Sequence, residues 1–284
     1  MKTIIINNKE QMIKDFFSEY KLAKAKIYKL LITKSVLVNG VVATENTKTY
    51  PRNKIEIDFS CLAENPLDLW DYSIEVAYED EDILLVNKPA GLLVHSDGTG
   101  GNTLTGAVNF YLQSNGDFSG ASCIHRLDVE TSGLVMFAKN PLALAYLSFQ
   151  MEEMLITKKY LAVIEGVLSP LEGTITLNIG KNRHLANCYI VTPKGKPAVT
   201  KYATIQNNNE KSLVEAEIIT GRTHQIRVHF SHLQHPIIGD KIYGKPQEKM
   251  MLFAQSLQFV HPRTKKEFSF KLSIPKDFII KTRG

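Results

Sequence analysis

The sequence has few cysteines and no long apolar run. Cysteine occurs three times in 284 residues, at positions 61, 123 and 188, and no two form a Cys-x-x-Cys pair. This spacing argues against a disulfide framework or a zinc ribbon and favours a reducing, cytoplasmic environment. No stretch approaches 18 consecutive apolar residues, so no transmembrane helix is predicted. The apolar run near the first residue is too short for a signal peptide.

Motifs for nucleotide cofactors and metals are also missing. The sequence contains no dinucleotide fingerprint, no P-loop and no His-Glu-x-x-His pattern. A cluster of histidines at positions 224, 229, 232 and 235 leaves a metal-dependent hydrolase as one alternative, but no cysteine accompanies it. We therefore predict that the protein uses neither a cofactor nor a metal.

The positive charge is concentrated at the beginning of the chain. Residues 1–60 contain eleven Lys or Arg and six Asp or Glu, which accounts for the whole net charge of +5, and the remaining residues contain 23 of each. A basic segment attached to a neutral body is typical of a protein that binds a polyanion. The alternative is a lysine-rich face that contacts only solvent.

Periodicity divides the chain into a small module, a connection and a larger body. Residues 9–20 and 22–32 have helical spacing, residues 36–42 read as a hairpin with an Asn-Gly turn, and residues 54–58 alternate as a strand. Residues 1–60 are therefore predicted to form one domain, with residues 61–74 as a linker. The body, residues 75–284, mixes strands with a helix near residues 142–154, which predicts an α+β fold.

Residues 124–134 are the most informative stretch of the body. Arg126 lies two residues before Asp128, and a polar turn that ends in glycine follows. Leucines at positions 127 and 134 flank the turn, so the carboxylate is expected at the edge of a core, where it suits a nucleophile or a base. The alternative is a structural turn in which Asp128 caps the backbone through Thr131 or Ser132.

Several motifs of the chain resemble one family. Residues 125–128 (His-Arg-Leu-Asp) and 131–134 (Thr-Ser-Gly-Leu) resemble the signature of the RluA-type pseudouridine synthases, which isomerise uridine in structured RNA. Other blocks of that family are resembled by residues 78–91, 158–163, 221–229, 239–244, 259–262 and 274–278, so the likeness spans about residues 75–278. Phe253 departs from the pattern, because a histidine is expected there.

The resemblance implies both a fold and a set of site residues. It implies a mixed, mainly antiparallel central sheet with the catalytic cleft across its middle. Asp128 would be the catalytic residue, Tyr160 would stack on the uracil ring, and Arg227 would pair with Asp128. Arg126, beside the catalytic residue, would fill the space left by a uridine that is flipped out of the RNA, or would hold the RNA backbone. The alternatives are a core tyrosine at position 160 and structural or phosphate-binding roles for the two arginines.

The N-terminal helices and hairpin resemble the S4 RNA-binding module. Five lysines are the candidate phosphate contacts there: Lys21, Lys24, Lys26, Lys29 and Lys34. By analogy, the expected partner is structured RNA, with large-subunit ribosomal RNA favoured over transfer RNA. We expect a monomer that does not associate with membranes. A non-catalytic RNA-binding or ribosome-assembly protein on the same scaffold, and a synthase acting on transfer RNA, are the alternatives.

Overall fold

The first part of the chain forms a small module of two helices and six short strands. The computed structural model describes residues 2–62, 67–96 and 102–280. In chain order, the module contains β1 (Lys2–Ile6), β2 (Gln11–Met12), α1 (Ile13–Glu19), α2 (Lys24–Ile32), β3 (Val36–Val38), β4 (Val41–Val42), β5 (Lys48–Thr49) and β6 (Lys54–Asp58). A 3-10 turn at Phe59–Leu62 follows. Strands β1, β6, β3 and β4 form an antiparallel sheet in that order.

Both helices of the module pack on this sheet through buried apolar side chains. Phe17 of α1 and Leu30 of α2 belong to the same buried cluster as Ile55 and Ile57 of β6. Alternation along β6 turns these two isoleucines inwards, as the sequence predicted. The Asn39-Gly40 turn has φ values of 50° and 82°, which confirms the predicted hairpin.

Two local features differ from the sequence prediction. Helix α1 begins at Ile13 instead of residue 9, because Gln11 and Met12 pair with β5 as strand β2. The apolar run at Lys2–Ile6 forms β1 and pairs with β6, although no element was predicted there. In both cases the partner strand lies about 40 to 50 residues further along the chain, beyond the reach of a local pattern.

The body of the protein is built on one large sheet. Its elements are β7 (Glu75–Glu79), β8 (Ile83–Lys88), α3 (Leu104–Ser114), β9 (Ser122–Cys123), β10 (Ser132–Ala138), α4 (Pro141–Glu152), β11 (Thr157–Glu165), β12 (Glu172–Thr176), β13 (Ile179–Lys181), β14 (Tyr189–Val191), β15 (Val199–Asn207), β16 (Lys211–Ile218), α5 (Gln225–His232), β17 (Leu252–Val260) and β18 (Glu267–Lys271). A 3-10 turn at Lys276–Phe278 lies near the end.

Ten strands of the body form a mixed, mainly antiparallel sheet. The order is β12, β15, β16, β11, β17, β10, β8 and β7, with β18 beside β17 and β9 beside β10. Among the paired strands of this sheet, β10 and β17 are parallel and the other pairs are antiparallel. Strands β13 and β14 form a separate hairpin. The predicted α+β class and sheet type are confirmed.

Alternation along β11 separates two cores on opposite faces of the sheet. Tyr160 and Ala162 face a cluster that includes residues of α3 and α5, whereas Leu161 and Val163 face the other side. Phe253, which stands where the family pattern has a histidine, lies on that other side of the sheet. Its ring packs 5.9 Å from the ring of Phe278, so it serves the core behind the cleft instead of the cleft itself.

The N-terminal module packs directly against the body. Lys265 Nζ lies 3.9 Å from the centre of the Tyr20 ring in the module and 3.5 Å from the centre of the Tyr146 ring on α4. Arg263 donates one hydrogen bond to the Ile4 carbonyl oxygen (2.7 Å) and others to the Asp82 carboxylate. Residues of α4 also join the buried cluster of the module. The two parts therefore share a packed contact.

The predicted linker also packs against the body where it is described. Residues 63–66, including Pro66, lie outside the described residues. The Trp70 backbone N–H donates to the Gly106 carbonyl oxygen of α3 at 3.1 Å, and the Trp70 and Tyr72 rings stack with centres 4.2 Å apart. Within the described parts of the chain, no helix is long and apolar enough to cross a membrane.

Candidate active site

Asp128 lies in a loop that leads into the central strand β10. The Thr131 N–H donates to the backbone carbonyl of Asp128 at 3.1 Å, which closes the turn. Gly133 follows with φ of 110°, and a Cβ there would lie 2.2 Å from the Ala254 carbonyl oxygen of β17. Only glycine permits this approach of β10 to β17. The loop therefore emerges where two central strands lie side by side.

A buried lysine holds the backbone behind this loop. Lys88, at the end of β8, is fully buried and donates to the carbonyl oxygens of Pro89, Leu92 and Val129 at 2.8–3.0 Å. Burial lowers the pKa of Lys88 to about 8, although the charge of Asp128 opposes this shift. Because Val129 follows Asp128 directly, Lys88 fixes the chain next to the candidate carboxylate.

Arg227 connects Asp128 to a second, buried carboxylate. Its Nη1 lies 3.0 Å from an Asp128 carboxylate oxygen, and its Nε and Nη2 bind the two oxygens of Asp240 at 2.7 and 2.8 Å. Burial acts to lower the pKa of Arg227, but the hydrogen bonds and charge of Asp240 outweigh it, and the pKa lies above its ordinary value. Arg227 is therefore always charged, and its guanidinium donates a charge-assisted hydrogen bond to Asp128.

Both carboxylate oxygens of Asp240 accept hydrogen bonds from Arg227. Its side chain is completely buried, and the backbone N–H groups of Ile242 and Tyr243 also donate to it. Burial acts to raise the pKa of Asp240, but its bonds to Arg227 outweigh that effect and hold the pKa below its ordinary value. Asp128, by contrast, keeps about a quarter of its side chain exposed. Of these two carboxylates, Asp128 is the one a substrate can reach.

Tyr160 forms part of the cleft wall together with the Asp128 loop. It is 7% exposed, and it lines a cleft of about 670 Å³ with Asp128, Arg126 and Arg227. Burial, assisted by the charge of Asp128, raises the pKa of the Tyr160 phenol, so its hydroxyl stays neutral. A cleft of this size, with an aromatic wall and a few convergent polar groups, is typical of a small-molecule or nucleotide site.

His224 and Tyr189 also line the cleft, and both contact the hydroxyl of Tyr243. His224 Nε2 lies 3.7 Å from the Asp128 carboxylate, and its Nδ1 lies 2.7 Å from the Tyr243 hydroxyl. The Tyr189 ring packs edge-on against the His224 ring, with centres 5.6 Å apart. Burial lowers the pKa of His224, although Asp128 opposes the shift. A neutral imidazole beside Asp128 leaves Arg227 as its main cationic partner.

Comparison with known proteins identifies the family. Residues 82–232 match the family model described as RNA pseudouridylate synthase, and this segment contains Asp128, Tyr160 and Arg227. The chain belongs to the RNA pseudouridylate synthase family. The family resemblance read from residues 125–134 is thereby confirmed.

Relatives of this pseudouridylate synthase match over most of their length. The ribosomal large subunit pseudouridine synthase D of Vibrio parahaemolyticus is 31% identical over 97% of this chain and 90% of the relative. YlyB of Bacillus subtilis, described as an uncharacterized RNA pseudouridine synthase, is 36% identical over 85% and 82%. The structure of human RNA Pseudouridylate Synthase Domain Containing 1 is similar with a TM-score of 0.61 at 28% identity, covering 72% of this chain and 84% of that one.

The two residues before the leucine of the signature have different positions in this synthase. Arg126 is exposed at the mouth of the cleft. His125 is half-buried and also lines the cleft, and its Nε2 accepts a hydrogen bond from the Met136 N–H at 3.3 Å. Burial and the nearby Lys158 lower the pKa of His125 to about 4, so this imidazole is neutral near pH 7. Both residues thus line the cleft, Arg126 as an exposed side chain and His125 as a neutral ring bonded to the backbone of β10.

The other histidines of the suspected metal cluster bond to separate partners. His229 contacts the Thr200 hydroxyl at 2.9 Å and the Leu177 carbonyl at 3.1 Å, and His235 contacts the Glu165 carbonyl at 2.8 Å. Among the described residues, one group has the spacing of metal ligands, Asp80, Asp82 and His261. Arg263 already binds both oxygens of Asp82 in that group. The histidines therefore do not support the hydrolase alternative.

The five candidate RNA-binding lysines are all exposed, but they do not form one uniform face. Lys24, Lys26 and Lys29 lie on the solvent side of α2, and Lys34 lies just after that helix. Tyr28 and Ile32 are 67% and 58% exposed on the same helix, so its outer surface is both basic and apolar. The remaining candidate, Lys21, turns towards the body, with its Nζ 4.7 Å from the centre of the Phe149 ring.

Proposed function

We propose that this synthase converts uridines of structured large-subunit ribosomal RNA to pseudouridine, with Asp128 as the catalytic residue. The observation that carries the proposal is the 3.0 Å contact between Arg227 and Asp128 inside a cleft with Tyr160 on its wall. This contact sets a guanidinium against a carboxylate that is about a quarter exposed, in a cleft large enough to receive a nucleotide.

The reaction needs one well-placed carboxylate and little else. The N1–C1′ bond of uridine breaks, the uracil turns, and a C5–C1′ bond forms; C5 loses a proton and N1 gains one. Atoms and electrons balance, so neither a cofactor nor a redox partner is required. Asp128 would attack C1′, attack C6 of the ring, or remove a sugar proton. Each of these three roles needs an ionised carboxylate held in place, and the hydrogen bond from Arg227 positions it.

A glycosidase would need a second free carboxylate to activate water. Asp240, the carboxylate that Arg227 joins to Asp128, is fully buried and held at both oxygens by that arginine. This arrangement supports isomerisation over hydrolysis, because it leaves Asp240 unable to receive a proton from water.

The target uridine must leave its stack before it can reach Asp128. Tyr160 lines the cleft and offers a stacking surface for the flipped uracil, and Arg126 at the mouth is placed to contact the opened RNA. Stacking of a base on an aromatic side chain contributes about 1–3 kcal/mol in proteins that bind single strands. We therefore assign base stacking to Tyr160 and RNA contact to Arg126.

Ribosomal RNA is favoured as the substrate by the relatives and by the module. Relatives that cover nearly all of this chain are named for the large ribosomal subunit. The S4-like module adds an exposed helix with Lys24, Lys26 and Lys29 on it, which suits a large structured RNA. A cytoplasmic location belongs to this proposal, because the named target of those relatives is the ribosome.

Release of tritium tests the activity directly. RNA containing 5-tritiated uridine loses tritium when C5 becomes bonded to C1′, so active protein should release it from large-subunit ribosomal RNA and much less from transfer RNA. Release should continue after treatment with a chelator and should stop in Asp128→Asn. Faster release from transfer RNA would identify the alternative substrate. No release from either RNA, with tight binding retained, would favour the non-catalytic RNA-binding protein.

A further inference from the structure

The acidic residues of the protein are concentrated in one segment of the chain. Residues 55–125 contain twelve Asp or Glu and a single Lys or Arg. That one cation, Lys88, is fully buried and donates to three backbone carbonyl oxygens. It is therefore not accessible to a partner at the surface. A surface built from this segment repels a polyanion and attracts a cationic partner.

Some of these acidic residues are already paired within the body. Residues 79–82, at and after the end of β7, are all acidic, and each is held by one of three side chains from elsewhere in the body: Lys139, His261 and Arg263. Asp68 and Asp71, in contrast, are exposed and take part in no ion pair among the described residues. The charges of these two carboxylates are therefore open to a partner.

Exposed apolar side chains lie next to these two carboxylates. Leu69 is 47% exposed between them, and Phe118, in the loop after α3, is 71% exposed. Leu67 lies over the same loop, because a Cβ added at Gly120 would be 2.5 Å from a Leu67 methyl carbon. We call the following set of exposed residues the acidic patch: Leu67, Asp68, Leu69, Asp71, Tyr72 and Phe118. An exposed apolar surface with a polar rim is typical of a protein-binding site.

Helix α3 holds the acidic patch in a fixed shape. The buried Asn109 amide of this helix donates to the Asp68 carbonyl oxygen at 3.2 Å, and its oxygen accepts a hydrogen bond from the Ala121 N–H at 2.9 Å. One side chain thus joins residues 67–72 to the loop that carries Phe118. The half-buried Trp70 ring also stacks on the ring of Tyr72. A surface ordered before binding loses little conformational entropy when a partner docks.

We propose that the acidic patch binds a basic polypeptide that carries apolar side chains among its lysines and arginines. Asp68 and Asp71 pair with the cations, and the leucines and aromatic rings of the patch bury the apolar side chains. The occupant is a protein and not RNA or an anionic membrane, because the same carboxylates repel phosphate. No residue of the patch lines the Asp128 cleft, so the partner docks outside the site of RNA modification. Basic segments of this composition are common in proteins that bind nucleic acid, which makes an RNA-bound protein the expected class of partner.

Binding of a synthetic peptide to the full-length protein tests the carboxylates. A fluorescent peptide of three Arg-Leu-Lys-Gly repeats is titrated, at low and high salt, against wild type and against Asp68→Asn with Asp71→Asn. Loss of the two charges should weaken binding at low salt by roughly threefold to thirtyfold, and by less at high salt, where exposed charges are screened. The matched control, Glu45→Gln with Glu248→Gln, removes two exposed carboxylates outside the patch and should leave the affinity unchanged.

The apolar side chains of the patch have a separate test. Leu69→Ser with Phe118→Ser should weaken binding of the same peptide by roughly tenfold, and the loss should persist at high salt, because burial of apolar surface is not screened. The control pair replaces Leu171 and Ile279 by serine, since these residues are similarly exposed (51% and 52%) outside the patch. A peptide with serine in place of each leucine should bind wild type and the Leu69→Ser, Phe118→Ser variant with similar affinity.

Equal losses for the patch and control pairs would overturn the proposal, as would equally tight binding of an acidic peptide of three Glu-Leu-Asp-Gly repeats. A concentration-dependent dimer of the wild type that Leu69→Ser with Phe118→Ser abolishes would also overturn it, because the occupant would be a second copy of this chain. Release of tritium from protein-free ribosomal RNA should be the same in wild type and in all four variant pairs, and a loss confined to the patch variants would show that the patch serves RNA instead. Peptide binding at the patch without release by the wild type would leave this proposal intact and overturn the proposed function alone.

Discussion

At the scale of single residues, the site depends on how Asp128 is held and what lies next to it. Arg227 holds the Asp128 carboxylate from one side through a hydrogen bond, and Lys88 fixes the backbone behind it through the Val129 carbonyl. Tyr160 provides the nearby aromatic surface. These three side chains have different tasks, so substitutions at each should produce different losses.

Substitutions at Tyr160 should separate stacking from proton handling. Tyr160→Phe retains the ring and should bind RNA normally; slow turnover in this variant would show that the hydroxyl also handles a proton. Tyr160→Ala loses the stacking surface, which is worth about 1–3 kcal/mol per base, and kcat/KM should fall by roughly fivefold to a hundredfold or more. Both variants are compared on one transcript, with unfolding measured alongside because Tyr160 is buried. Full activity of Tyr160→Ala would refute the stacking role.

The pH dependence of stability should reveal the lowered pKa of Lys88 in the folded protein. Its pKa in the folded protein is about 8, below the ordinary value of 10.5. Between these values the unfolded chain binds more protons than the folded protein, so Lys88 makes the free energy of unfolding rise with pH across that window. Chemical denaturation at pH 7, 8, 9 and 10 should show this rise in the wild type and a smaller one in Lys88→Met. The same trend in both proteins would contradict a buried, titrating Lys88.

Much of the site could be predicted from the sequence, for a physical reason. Asp128 and Arg126 lie in one short motif, and Arg227 lies in another, so motif likeness alone selected residues that the fold brings to one cleft. Tyr189 could not be found in this way, because it sits in a plain Tyr-Ile-Val strand. Its place beside His224 depends on how the hairpin of β13 and β14 packs against the body, and no local sequence pattern predicts that packing.

At the scale of elements, the sequence predicted structure that is set by local turns better than structure that is set by pairing between distant strands. The Asn-Gly hairpin of β3 and β4 was predictable because that pair adopts the positive φ values of a tight turn. Strand β1 was not, because its order comes from pairing with β6 about fifty residues away. Helix α2 was predicted close to its observed bounds, and its exposed lysines remain a proposed RNA surface.

Charge removal on α2 tests that surface without disturbing its core. Lys24→Gln, Lys26→Gln and Lys29→Gln together should lower the salt slope of binding to ribosomal RNA by roughly two to three units if all three contact phosphate. The control replaces Lys9, Lys48 and Lys54, which lie in the same module but pair with Glu19, Glu10 and Glu56. A slope that stays constant in the α2 variant would show that these lysines face only solvent.

At the scale of the whole molecule, the N-terminal module and the body are joined by packing as well as by the chain. Arg263 and Lys265 lie in the turn between β17 and β18 and reach Ile4 and Tyr20 of the module. These contacts join residues more than 240 positions apart, so the sequence could not predict them. The packing sets the position of the α2 lysines relative to the Asp128 cleft.

Loss of Arg263 should loosen this arrangement. Arg263→Ala leaves the nearly buried Asp82 without its cationic partner, with the Asn140 amide still donating to it, and should lower the free energy of unfolding by roughly 3 kcal/mol, the low end for a broken buried pair. Cleavage by protease between module and body should become faster. Lys245→Ala, which breaks an exposed pair with Glu165, serves as the control and should change stability little. Wild-type stability and cleavage in Arg263→Ala would show that the contact does not hold the two parts together.

The central claim is that the Asp128 carboxylate performs the isomerisation in this cleft, and one comparison tests it most directly. Turnover and affinity are measured for wild type and Asp128→Asn on the same ribosomal RNA transcript. The amide is nearly the same size but cannot act as a nucleophile or a base, so turnover should fall by more than about a hundredfold. Affinity should stay within a few fold, because a neutral side chain does not repel phosphate. Turnover within tenfold of the wild type would contradict the claim.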